Sequence, residues 1–191
     1  MLRRFTYMLV ACVVLAAGNV AGQLPGVPLR ITAWAINMSN IGTGANAVVD
    51  ITINRWSTDT ERQNLIDTFF KKGPDKLLDA LQDTRPVGRI RFPNTLGYDL
   101  RFARHFKMDE GGERYVIMTD RRIGFAEARN RPRTIDYPFT LIEIRVNRDG
   151  KGEGKMSVAT KITHNKKDNT VELEDYASEP VRLTNVKVEK K

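Results

Sequence analysis

Cysteine is nearly absent from this chain. Its 191 residues hold one, Cys12, and only two histidines, His105 and His164. Cys12 lies inside an N-terminal apolar run, so the remainder of the chain is cysteine-free. That excludes disulfides, thiolate metal sites and a cysteine nucleophile there. The two histidines have no second histidine or carboxylate at ligand spacing. A zinc set built on them would need Asp or Glu from elsewhere. They read as solvated surface residues, and neither metal nor cofactor is expected. No internal repeat, low-complexity tract, domain linker or nucleophile elbow is present. The balance leans away from an enzyme.

Long apolar runs are missing too, except at the start. Met1-Leu2-Arg3-Arg4 precedes an apolar stretch over residues 5–17, followed by the small residues Gly18, Ala21 and Gly22. Two positive charges, a short hydrophobic core and small residues are the pattern of a secretory signal. A membrane span needs about 20 apolar residues. Residues 1 to about 22 are therefore expected to be removed, with cleavage at Val20-Ala21-Gly22 before Gln23 or within a few residues of it. Leu9-Val10-Ala11-Cys12 loosely matches a lipidation signal, but the apolar run continues past Cys12, which a lipidated cysteine at the head of a polar chain would not allow. The expected location is periplasmic or extracellular, with no transmembrane segment in the mature chain.

Residues 23–191 are the size of one domain and long enough to bury a core without staples. The signal removes Arg3 and Arg4 and no acid, leaving 29 basic and 23 acidic residues, a net charge of +6. Diffuse positive charge is weak support for an anionic partner. Export and the lack of an aromatic–basic recognition motif argue against nucleic acid.

Most of the mature chain reads as strands: 31–38, 47–56, 88–92, 98–106, 113–119, 139–146, 155–163, 170–176 and 181–188. In the second, Val49, Ile51 and Ile53 alternate with Asp50, Thr52 and Asn54, the period of a strand with one wet face. Ser39 to Gly44 carries turn residues, and Asp149-Gly150 and Asp168-Asn169 read as hairpin turns. The period changes once. Thr58-Asp59-Thr60-Glu61 fits a capping box, and Leu65, Ile66, Phe69 and Phe70 follow at helical spacing. Gly73 ends that helix, Pro74 opens another, and Leu77, Leu78 and Leu81 form the second apolar face. The expected fold is mainly β, an antiparallel meander of about nine strands forming a barrel or barrel-like sandwich. An αα-hairpin is inserted at 58–83, capping a sheet or one barrel end.

Ile36-Asn37-Met38-Ser39-Asn40-Ile41-Gly42 and Gly73-Pro74-Asp75-Lys76-Leu77-Leu78-Asp79-Ala80-Leu81 resemble an uncharacterised family of exported bacterial proteins. The resemblance covers most of the mature chain and implies neither an activity nor a site. The layout is also similar to lipocalin-like small-ligand barrels, which enclose a small apolar molecule.

Three features are candidates for function. Tyr98, Leu100, Phe102, Arg104 and Phe106 are expected to share one strand face, and Tyr137, Phe139, Leu141, Glu143 and Arg145 another. If these faces point inward, Arg104 and Glu143 are buried charges that pair with each other or orient a ligand. If they end at the rim, the charges meet water. The 120–136 segment, with Arg121, Arg122, Arg129, Arg131 and Arg133, is either an anion-attracting lid or a loop wrapped over the core. Gly150-Lys151-Gly152-Glu153-Gly154 lies between strands and lacks the helix a phosphate loop needs, so it reads as a hairpin. Glu172 and Glu174 read as the solvent side of their strand.

The leading expectation is an exported, non-catalytic binding protein for a small amphipathic or anionic molecule, with Tyr98, Phe102, Arg104, Arg121, Arg122 and Glu143 as candidate ligand residues. The alternative is an envelope protein-interaction or structural module, and a hydrolase with an unrecognised site stays open. A ligand barrel should hold an internal cavity. An interaction module should have a filled core and an exposed apolar patch.

Overall fold

Alternation in the first strand decides which way the chain faces. Leu29, Ile31, Ala33 and Ala35 are buried, and the residues between them are not. The computed structural model describes residues 26–38, 44–109, 111–125, 137–165, 167, 170–175 and 180–190. The expected signal at 1–22, most of the expected turn at 39–44, residues 126–136 of the arginine-rich segment and the expected Asp168-Asn169 turn lie outside the described residues.

Ten strands form one antiparallel sheet: β1 (Leu29–Ile36), β2 (Asn46–Ile53), β3 (Gly88–Arg91), β4 (Tyr98–Leu100), β5 (Phe102–Lys107), β6 (Glu113–Thr119), β7 (Phe139–Val146), β8 (Lys151–Asn165), β9 (Thr170–Asp175) and β10 (Val181–Lys190). The order is β4-β3-β2-β1-β10-β8-β7-β6-β5, and β9 pairs with the far half of β8. The two ends of this path, β4 and β5, are halves of one bent strand with only Arg101 between them. β4 pairs with β3 and β5 with β6, so the sheet curls into a nearly closed nine-strand barrel. Near-closure leaves little unpaired edge in a chain made mostly of strands.

The bend at Arg101 corrects one expectation. Leu100 and Ala103 are both fully buried although three residues apart, so the facing inverts between them. Tyr98 and Leu100 belong with the barrel interior, whereas Phe102 packs on the outside. The five residues from Tyr98 to Phe106 therefore do not share a face. The cause is tertiary: the Arg101 amide donates to the Met118 carbonyl at 2.9 Å, and its guanidinium donates to the Thr84 carbonyl at 2.8 Å.

The interior is one aliphatic cluster that includes Ile31, Ile51, Ile90, Ile117, Ile142 and Leu183 from strands around the barrel. Ile123 and Phe125 join it from the segment after β6, where Phe125 stacks on Phe92 with centroids 5.5 Å apart. The Ile123 N–H is shared between the Val158 carbonyl and the Thr140 hydroxyl, 3.0 Å from each. Among described residues, the 120–136 segment thus begins as a plug in the core. Trp56, past the end of β2, is also part of the cluster, stacked 6.0 Å from Tyr115 and tilted 5.1 Å from His105.

The helical insertion matches its signals. The Thr58 hydroxyl accepts from the Glu61 N–H at 3.1 Å, and the Glu61 carboxylate accepts from the Thr58 N–H at 2.8 Å, starting α1 (Asp59–Asp67). A π-helical turn (Thr68–Lys72) follows, and Gly73 at φ 99° stops it before α2 (Asp75–Gln82). The hairpin lies on the barrel's outer wall. Leu65, Phe69, Leu77 and Leu81 pack with Phe139 and Ile162, against Phe102 and Met118. Ser57 sets that position by pairing with β5: its N–H donates to the Ala103 carbonyl at 3.0 Å, and its Oγ accepts from the Ala103 N–H at 3.1 Å.

The glycines after β7 shape the barrel. The turn is closed by Asn147, whose Oδ1 accepts from the N–H groups of Asp149 and Lys151 at 3.0 Å each, and Gly150 takes φ 71°. Within β8, a Cβ on Gly152 would lie 1.9 Å from the Arg145 carbonyl oxygen, and one on Gly154 2.5 Å from that of Glu143. Side chains there would push β7 and β8 apart.

Candidate binding site

The residues expected to bind ligand are dispersed, and most have partners of their own. Arg104 Nη1 lies 2.8 Å from Asp59 Oδ1 and 3.0 Å from the Ser57 carbonyl, which ties β5 to the start of α1. Glu143 pairs with Arg114 (Nε–Oε1 3.1 Å) and Arg145 (2.8 Å). Arg104 and Glu143 flank Val116 in the sheet register and do not pair with each other. Both are half-exposed on the outer wall, so of the two alternatives it is the one in which the charges meet water, not the inward one, that fits their burial. The Tyr98 hydroxyl accepts from the Gly124 N–H at 3.3 Å, and Phe102 is under the helical hairpin. Arg121 is exposed beside Asp120, with Nε–Oδ1 at 3.5 Å, and Arg122 is half-buried next to it. The six therefore form no common site.

The histidines also differ from expectation. Instead of standing in solvent, both are half-buried against aromatic rings. His105 contacts Trp56 and Tyr115, and His164 meets Phe70 edge-on at 4.9 Å and Phe69 at 6.0 Å. Burial, followed by its hydrogen bond to the Glu113 carboxylate, raises the Tyr115 phenol well above its ordinary pKa. Among the described residues no group of three His, Cys, Asp or Glu side chains could hold a metal ion, and no helix is long and apolar enough to cross a membrane.

A different site emerges on the outer wall where β2, β1, β10 and β8 run side by side. β10 carries one residue more than either neighbour between Leu183 and Lys187. The register steps from Thr32↔Lys187 to Trp34↔Thr184 on one side, and from Leu183↔Gly154 to Val186↔Gly152 on the other. Asn185 absorbs the extra residue at φ 51°, the left-handed region that Asn tolerates better than most residues. A groove of about 540 Å³ lies at this bulge. Trp34 and Val48, directly paired across β1 and β2, give it an apolar side, 46% and 39% exposed. Thr32 and Asn185 add polar groups, and Lys151 and Lys187 bring two ammonium groups.

The charges around the groove are unevenly balanced. Arg30 is paired with Asp50 at 2.7 Å, and Arg182 with Glu153 at 3.0 Å. Neither Lys151 nor Lys187 forms an ion pair with a described residue. The groove thus combines an exposed indole with two uncompensated cations. Sequence reasoning passed over it, although one signal was available: Ala33 and Ala35 facing inward force Trp34 outward.

No family model, no curated protein and no solved structure matches the chain.

Proposed function

We propose that this protein is an exported, non-catalytic binding protein. It takes a small amphipathic or anionic ligand in the Trp34 groove on its outer wall, rather than inside the barrel. The observation that carries this reading is the groove itself, with Trp34 and Val48 on its apolar side and Lys151 and Lys187 as cations that form no ion pair among the described residues. Its volume lies within the roughly 300–1,000 Å³ common for small-ligand sites. The aliphatic cluster across the barrel argues against an interior site. Export rests on Arg3, Arg4 and the apolar run after them.

A second reading, an envelope interaction module, draws on the same surface. A buried aliphatic cluster inside, with Trp34 and Val48 exposed side by side outside, is what a protein-docking face requires. Native mass spectrometry of the mature protein from its host's envelope fraction separates the two. A small-molecule mass that is lost on denaturation, and missing from Trp34→Ala, is the expected result. A mass shared with a second polypeptide would replace the ligand reading with the interaction module. A bare mass would remove the small-ligand reading.

A further inference from the structure

We infer that the groove's occupant is an acidic saccharide, a short sugar chain bearing carboxylate or sulfate groups. This rests on the binding reading above and names its ligand class. Three features of the site choose among amphipathic and anionic molecules.

The first is the shape of the apolar part. Trp34 and Val48 are cross-strand neighbours on a barrel wall and form an open platform, not a tunnel. An alkyl chain gains affinity by being surrounded, because the gain scales with the apolar area removed from water on all sides. A pyranose ring has one flat face of C–H bonds and a rim of hydroxyls. It needs only one aromatic face beneath it, and the exposed indole of Trp34 supplies that surface.

The second is the polar rim. Asn185 presents an amide, with two donors and an acceptor, and Thr32 a hydroxyl that can do both. Such groups match hydroxyls, which also donate and accept. A fatty-acid tail would leave them without partners at a desolvation cost. The Asn185 backbone is held in place, since its bulge is locked between β1 and β8 by register on both sides. Little backbone ordering is then needed on binding.

The third is charge. Lys151 and Lys187 are exposed lysines from β8 and β10, both lining the groove, while the neighbouring Arg30 and Arg182 are neutralised by Asp50 and Glu153. Two separate free cations suit a ligand with anionic groups repeated along its length better than one with a single head group. A neutral sugar would use the platform and leave the lysines idle.

The experiment is calorimetric titration of the mature protein with four probes: an oligogalacturonate, a heparin-derived oligosaccharide, a neutral cello-oligosaccharide and myristate. The same titrations are run on Trp34→Ala, Trp34→Phe and Lys151→Gln/Lys187→Gln, each checked for an unchanged melting temperature. One or both acidic oligosaccharides should bind: binding of the oligogalacturonate shows that carboxylates suffice, and binding of the heparin oligosaccharide alone shows that sulfates are needed. Trp34→Ala should weaken binding about tenfold and Trp34→Phe much less, since a ring is retained. The double lysine variant should weaken it and flatten its salt dependence. Myristate binding that needs Trp34, with no acidic sugar bound, would overturn the saccharide and keep the groove. Cello-oligosaccharide binding equal to that of the acidic probes would overturn the role of charge. Acidic sugars bound equally well by all variants would place them elsewhere and overturn the inference. If no probe responds to Trp34→Ala, the inference fails, and native mass spectrometry decides the broader reading separately.

Discussion

Arg101 and Asp120 form an ion pair, Nε to Oδ2 at 3.2 Å, at the point where the bent strand closes the barrel. Asp120 is only 4% exposed, and Arg101 also holds the Thr84 carbonyl after α2. One contact therefore joins the end of the helical hairpin, the seam between β4 and β5, and the start of the arginine-rich segment. Removing Asp120 leaves the part-buried Arg101 guanidinium on the Thr84 carbonyl without its counter-charge. Asp120→Ala should cost about 3 kcal/mol in chemical denaturation, and Arg121→Ala, at the exposed edge of the same cluster, under about 1 kcal/mol. Equal small losses would mean that the seam does not depend on this pair.

The start of α1 makes stability depend on acid. Glu61 is held below the usual carboxylate range, chiefly by its hydrogen bond to Arg55, with the Thr58 N–H assisting and partial burial opposing. A depressed folded pKa means stabilisation that is present above the unfolded value, about 4.3, and is lost as pH falls through the lower folded value. Glu61→Gln keeps a capping acceptor but loses the charge that faces Arg55, and should cost up to about 1 kcal/mol at pH 7. The two proteins should converge in stability as pH falls through that lower folded value. Parallel curves across that range would show that the Glu61 charge contributes nothing.

Glycine 152 is a packing requirement. With the Arg145 carbonyl oxygen 1.9 Å from where a Cβ would lie, Gly152→Ala must separate β7 from β8. The cost should reach the upper end of the roughly 1–3 kcal/mol seen for overpacking. Gly150→Ala, at the turn with φ 71° and a nearest atom at 3.2 Å, should cost about 1 kcal/mol from backbone strain alone. Thermal melts of the two variants give the order, and Gly150→Ala as the worse change would reverse this account.

At Asn185 the backbone and the groove can be tested apart. Asn185→Gly keeps access to φ 51° and should leave the melting temperature almost unchanged while weakening ligand binding. Asn185→Val cannot adopt that conformation easily and should lose about 1–2 kcal/mol. An Asn185→Gly variant that binds as tightly as the parent would reduce Asn185 to a purely structural role.

Local signals in the chain were strong where the cause of structure was local. The capping box at Thr58 and Glu61, the stop at Gly73 and the period-two run Val49, Ile51, Ile53 each act within a few residues, and each appears where expected. The antiparallel β class and the helical insertion follow from such signals. The ligand residues inferred from alternation fared differently. Strand periodicity separates two faces but does not say which is inside, and one irregular residue inverts the assignment. At Arg101 that irregularity comes from Thr84, Met118 and Asp120, and at Asn185 from two neighbouring strands.

The sequence by itself determined the mainly antiparallel β class, the helical insertion and the Asp149-Gly150 turn, and a single cysteine allows no disulfide within the chain, which leaves stability to core packing. Only the tertiary structure decided that a mostly aliphatic cluster of the described residues gathers inside the barrel, that the helices lie on its outer wall and that Trp34 stands beside Lys151 and Lys187. The physical reason is range. Capping, turn and alternation energies act over a few neighbouring residues. The groove brings together residues more than a hundred positions apart, through a bulge whose register is set by the whole sheet.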